Sequence, residues 1–74
     1  MKLENIEFLI DGNGEVTLGQ VAHARCAATA SDSNQGLAML VRKPDETLLE
    51  LLQRLDEAIE DAYERGIFAD EINT

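Results

Sequence analysis

Residues 47–65 carry an amphipathic pattern that leaves this chain few ways to fold. At about 100° per residue, Leu48, Leu51, Leu52, Leu55, Ala58, Ile59, Ala62 and Tyr63 share an arc roughly 140° wide. Asp56, Glu57, Glu60, Asp61 and Glu64 share an opposing arc of similar width. Such a helix buries one face, so the rest of the chain must supply an apolar layer to receive it. Its ends are marked. Thr47 with Glu50 three residues on is a T-x-x-E capping box. Gly66 is the expected left-handed residue after the last turn, and Ile67 and Phe68 follow where a post-helix hydrophobic contact is common. Glu50–Arg54 and Asp61–Arg65 are i,i+4 pairs in the favourable orientation.

The preceding residues read as the receiving sheet. Residues 3–10 alternate, with Ile6, Phe8 and Ile10 on one side and Glu7 and Leu9 on the other, which predicts a strand. Asp11-Gly12-Asn13-Gly14 stacks four turn-formers, a hairpin signal. Residues 16–29 read as a second strand with a kink or bulge at Gly19 and small residues on one face (Ala22, Ala24, Cys26, Ala28). A helical alternative stays open there: Thr17 caps it and Gln20 completes a capping box. The strand is preferred because a hairpin partner is available, and because a helix would set Arg25 among Leu18, Val21 and Ala22. Residues 31–36 form a polar loop. Residues 37–43 read as a third strand, with Leu37, Met39 and Val41 inward, ended by Pro44 and Asp45. The tail, residues 67–74, is polar at its end and expected to fray. The expected fold is one α+β domain over 1–74, a two-layer ββ(β)α arrangement: a three-stranded antiparallel meander packed on one C-terminal amphipathic helix.

Size sets the next constraint. At 74 residues, with only Phe8, Tyr63 and Phe68 aromatic and much of the apolar content alanine, the core is thin. One cysteine, Cys26, allows no internal disulfide. Self-association is the remaining support. One helix covers one face of a three-stranded sheet, so the other face, assigned to Leu9, Leu40 and the alanines, together with Ile67 and Phe68 after the helix, is the expected homodimer surface. The N-terminus lacks a signal-peptide shape and no apolar run reaches the roughly 20 residues that span a bilayer. With a free cysteine, the expected compartment is the cytoplasm.

Candidate chemistry is sparse. Residues 11–16, DGNGEV, resemble the middle of an EF-hand calcium loop, but with Gly14 as the turn glycine the first ligand position is Leu9 and the twelfth is Gln20. His23 and Cys26 are an isolated H-x-x-C pair without the further ligands of a zinc site or a geometry for nucleophilic catalysis. Gly12 and Gly14 lack the lysine and helix of a phosphate loop. No metal, cofactor or enzymatic activity is expected.

The charge points to proteins. Fifteen acidic residues against six basic give −9, which disfavours direct binding to nucleic acid or to anionic membranes and suits a cationic protein. The candidate partner surface is Asp56, Glu57, Glu60, Asp61 and Glu64. Three like-charged i,i+4 pairs within it, toward the helix C-terminus where the dipole disfavours anions, each cost a few tenths of a kcal/mol.

The run Glu46-Thr47-Leu48 through Ala58-Ile59, after three strands, resembles the helix of HicB-type antitoxins. These pair a short antiparallel sheet with a helix that opens on a D-T-L-E-E-A type sequence and continues to E-A-I. The resemblance spans residues 46–59 and the order of elements. It implies an acidic antitoxin that neutralises a small basic ribonuclease toxin. The family's Pro-Asp followed by Gly-Cys before the helix is reduced here to Val41-Arg42-Lys43-Pro44-Asp45, and its DNA-binding segment has no counterpart in these residues. The functional expectation is a small acidic protein-interaction domain that self-associates, with the HicB-like antitoxin as the alternative.

Overall fold

The computed structural model describes residues 2–73. Its elements are α1 (Glu4–Asp11), β1 (Glu15–Val21), β2 (Ala24–Ser31), β3 (Gly36–Val41), α2 (Leu48–Arg65) and β4 (Ala69–Asp70). The strands form one sheet in the order β1-β2-β3-β4, with β1–β2 and β2–β3 antiparallel and β3–β4 parallel. The α+β class holds, and so does the C-terminal amphipathic helix on an antiparallel meander. The meander is built from other residues than expected.

Residues 3–10 are not a strand. They carry α1, because Ile6 and Leu9, one helical turn apart, are the pair that enters the core with Leu51, Leu55 and Ile59 of α2. Phe8 and Ile10, which a strand would align with Ile6, are 73% and 52% exposed. The four turn-formers therefore end a helix instead of joining two strands. Gly12 donates its N–H to Phe8 O, Gly14 donates to Leu9 O at 2.8 Å, and Asn13 takes φ 72. Gly14 is required by space: a Cβ there would lie 2.3 Å from Leu9 Cδ1 and 2.8 Å from Leu9 O.

Residues 16–29 are extended, as preferred, but hold two strands. The chain reverses at Ala22-His23, with Ala22 at φ 52. The bulge expected at Gly19 is present: Gly19 has φ 138 and the register shifts between Gly19 and Val21. A second irregularity follows Ala30, since Ala30 pairs with Ala38 but Ser31 with Gly36. Leu37 is the extra residue, and the bulge lets Leu37 and Ala38 both join the core under α2.

α2 matches expectation closely. Thr47 Oγ1 accepts from Glu50 N, Glu50 Oε1 accepts from Thr47 N, and Gly66 is left-handed at φ 67. Leu51, Leu55 and Ile59 are fully buried, whereas Leu48 in the first turn is exposed. Both helices lie on one face of the sheet. α2 packs over β2 and β3, and α1 lies between α2 and β1. Beneath them sit Ala28, Ala30, Ala38 and Leu40.

The second face is closed from within. Ile72 is buried with Ala24 and Ala27, and Val21, Met39 and Val41 pack around them. The tail is tied down through residue 73: Glu71 N donates to Met39 O, and Asp70 Oδ1 accepts from Ile72 N and Asn73 N. Thr74 lies outside the described residues.

Candidate interaction surfaces

Three surfaces emerge once the core is accounted for: the acidic face of α2, a groove beside its N-terminus, and exposed apolar side chains. The five carboxylates expected to act together are divided. Asp56 is buried and serves the fold. Its Oδ1 accepts from the backbone N–H groups of Asn5 and Ile6 at 2.8 and 2.9 Å, and its Oδ2 accepts from Asn5 Nδ2 at 3.0 Å. It is the N-terminal cap of α1, delivered from another helix, because Leu3 at the cap position has no side-chain acceptor. Asp56 therefore leaves the candidate partner surface. Glu57, Glu60 and Glu64 are exposed, and Asp61 is half-buried and paired with Arg65, as the spacing suggested. Glu60 receives a longer contact from Asn5 Nδ2 at 3.5 Å. Glu57 and Glu64 have no ion pair among the described residues.

Arg54 was expected to pair with Glu50, but Glu50 is held by the capping box. Arg54 instead gathers three segments. Its Nε donates to Glu46 Oε2 at 2.6 Å, Nη2 to Glu46 Oε1 and to Val41 O, and Nη1 to Glu71 Oε2 at 3.0 Å. Glu71 Oε1 accepts from Val41 N in turn. The guanidinium hydrogen bonds, with help from Lys43 N–H, hold the Glu46 carboxyl well below the usual range, at about 2. The same partnership raises the Arg54 guanidinium.

An open groove of about 760 Å³ lies between the loop after β3 and the first turns of α2. Lys43, Asp45, Glu46, Glu50, Arg54 and Glu57 are on its walls. Arg54 and Glu46 neutralise each other, so Asp45, Glu50 and Glu57 outweigh Lys43. Glu57 belongs to the groove and to the acidic face alike, which makes the two one continuous negative surface.

At the far end of α2, Tyr63 OH donates to Asp32 Oδ2 at 2.9 Å. Asn34 N–H and then this hydroxyl pull the Asp32 carboxyl down. Lost hydration, then the Asp32 carboxylate, push the Tyr63 phenol up.

The residues assigned to self-association also divide. Leu9 and Leu40 are core residues, 3% exposed each: Leu9 projects from α1 into the core, and Leu40 of β3 lies on the sheet face that α2 covers. Neither is available to a partner. Ile67 and Phe68 remain 55% and 48% exposed. His23 sits in the β1–β2 turn and Cys26 on β2 against the core. Among the described residues, no group of three or more His, Cys, Asp or Glu side chains converges as for a metal, and no helix is long and apolar enough to cross a membrane.

Asp56 and Arg54 were missed for one reason with a legible signal. On the α2 wheel they stand at about 80° and 240° from Leu48, just outside the two borders of the apolar arc. Border positions are where a charged side chain can reach a neighbouring element while its helix is docked. Against known proteins the chain matches no family model, no curated protein and no solved structure, so its function is read from these surfaces.

Proposed function

We propose that this chain is a cytoplasmic, non-catalytic interaction domain that self-associates and docks a basic protein on the acidic face of α2. The carrying observation is the continuity of Asp45, Glu50 and Glu57 in the groove with Glu60 and Glu64 along the helix. Their helix is clamped at both borders by Asp56 and Arg54, so the charges are presented on a fixed scaffold. Preorganised charge steers association and sets specificity. The test is a titration of ¹⁵N-labelled protein with a decalysine peptide. Shift changes should saturate and concentrate on Asp45, Glu50, Glu57, Glu60 and Glu64. Changes spread evenly to Glu7, Asp11 and Glu15 would refute a defined site.

The second reading is a HicB-like antitoxin, in which the basic protein is a small ribonuclease. It is supported by the order of β1, β2, β3 and then α2 with its capping box. Its test is inhibition of such a ribonuclease by the purified chain; undiminished RNA cleavage at excess protein would refute it.

A further inference from the structure

Asn13-Gly14 is a pair that the fold demands and that its own chemistry makes labile. Asn13 is left-handed at φ 72, a conformation that Asn and Gly accept and most other residues resist. Gly14 admits no side chain, because a Cβ would strike Leu9 Cδ1. Asparagine is a thermally labile residue, through attack on its carboxamide carbon by the next backbone nitrogen. A following glycine puts no side chain in the way of that attack. Asn5, Asn34 and Asn73 precede Ile, Gln and Thr instead.

In the folded chain the attacking atom is guarded. Asn13 is exposed, and its carboxamide has no protein partner among the described residues. Gly14, by contrast, is half-buried against the Leu9 side chain, and its N–H donates to Leu9 O at 2.8 Å. To react, Gly14 N must lose that proton and approach Asn13 Cγ, so the bond to Leu9 O must open first. Leu9 belongs to α1, which is eight residues long and has no side-chain cap of its own. α1 is held by Asp56 at its start and by Ile6 and Leu9 in the core. A segment attached so sparsely opens more often than the whole domain unfolds.

We propose that Asn13 is a site of spontaneous deamidation, gated by the release of α1. Gly14 N gives its proton to water and bonds to Asn13 Cγ. The Cγ–Nδ2 bond breaks, and Nδ2 takes a proton from water and leaves as ammonia, which closes a succinimide. A second water opens the ring. Addition at Cγ breaks the new N–Cγ bond and leaves aspartate at position 13 in a normal main chain. Addition at the backbone carbonyl carbon breaks its bond to Gly14 N and leaves isoaspartate, whose main chain runs through Cβ. Nothing is oxidised or reduced, and each product carries a new carboxylate. That charge stands just beyond the C-terminus of α1, where the helix dipole opposes it. The isoaspartyl form also lengthens the link from α1 to β1, so Gly14 N–H no longer meets Leu9 O in the same geometry. Conversion therefore loosens α1 irreversibly.

Incubation of the full chain at neutral pH tests it, with peptide mass mapping and chromatographic separation of the aspartyl and isoaspartyl forms. Asn13 should lose its amide while Asn5, Asn34 and Asn73 keep theirs. The native chain should react about tenfold or more slowly than the same chain unfolded in guanidinium chloride. Asp56→Ala should raise the native rate about tenfold while circular dichroism still reports α2 and the sheet. In guanidinium below the unfolding midpoint, where the wild type stays folded, hydrogen exchange at Gly14 and amide loss at Asn13 should rise in step. That comparison stands even where Asp56→Ala does not fold. An Asn13 amide that persists in the unfolded chain overturns the site. A native rate equal to the unfolded one, or amide loss that does not follow Gly14 exchange, overturns the gate.

Discussion

Asp56→Ala should release α1 from the rest of the protein. The eight residues of α1 are too few to hold a helix unaided. Leu3 offers no cap, and two of the first free N–H groups depend on one buried carboxylate oxygen. Losing an N-cap costs about 0.5–2 kcal/mol. Here the acceptor is charged and only 8% exposed, and its loss strands the buried Ile6 donor, a penalty of about 1–3 kcal/mol by itself. A total near 2–3 kcal/mol is expected. For 74 residues the whole stability is roughly 4–11 kcal/mol at typical values per residue. Urea unfolding followed by circular dichroism should therefore show a large drop in midpoint. Hydrogen exchange should show residues 4–11 losing protection first, as Ile6 and Leu9 leave the core. Asp56→Asn keeps an oxygen acceptor and should lose less. If Asp56→Ala unfolds within about 0.5 kcal/mol of Glu57→Ala, the surface-site range, the capping argument is wrong.

Other perturbations test separate parts of the fold. Leu55→Ala leaves a cavity at a fully buried site and should cost about 2–5 kcal/mol, against less than about 0.5 for exposed Gln53→Ala, by thermal unfolding. Ala22→Gly relieves a positive φ in the β1–β2 turn and should stabilise by about 0.5–1 kcal/mol, read as a raised urea midpoint. The Glu46 carboxyl is lowered from 4.5 to about 2 in the folded chain. Because the unfolded chain binds its proton first, this contribution is complete above pH 4.5 and is lost as pH falls toward 2. Urea midpoints of wild type and Glu46→Gln should differ at pH 6 and converge toward pH 2; a constant gap would remove Glu46 from the acid response.

What could be seen in the sequence followed the range of the interactions. α2 was legible end to end, because its periodicity and both caps are local. α1 was not, since an eight-residue segment in which Ile6, Phe8 and Ile10 alternate while Ile6 and Leu9 stand one helical turn apart fits either period. Its cap lies some fifty positions away at Asp56, whose place at the border of the α2 wheel signals a reach to some other element but not to which one. The β1–β2 reversal is hidden because Ala22-His23 has none of the usual turn residues, so the pattern reads as one long strand. The role of the tail depended on Ile72 meeting Ala24 and Ala27, contacts between distant segments. Of the acidic surface, the exposed members Glu57, Glu60 and Glu64 were legible, as were Ile67 and Phe68 as apolar residues beyond the helix. Asp56 and Leu9 lie inward because α1 is a helix that docks on α2 and β1, and Leu40 because the bulge at Leu37 turns Ala38 and Leu40 to the face that α2 covers. The groove needed the loop after β3 to fold back on Arg54.

The proposed partner surface rests on the placement of charge on α2, and not on the total of −9. Two double variants change net charge equally: Glu57→Lys with Glu64→Lys on α2, and Glu7→Lys with Asp11→Lys on α1. Decalysine binding to each, measured by isothermal titration at physiological salt, is the most direct comparison. The first pair should weaken binding by about tenfold or more and the second by about twofold or less, since exposed charges beyond a Debye length are screened. Equal losses in the two would mean that net charge alone governs binding, and would contradict the account.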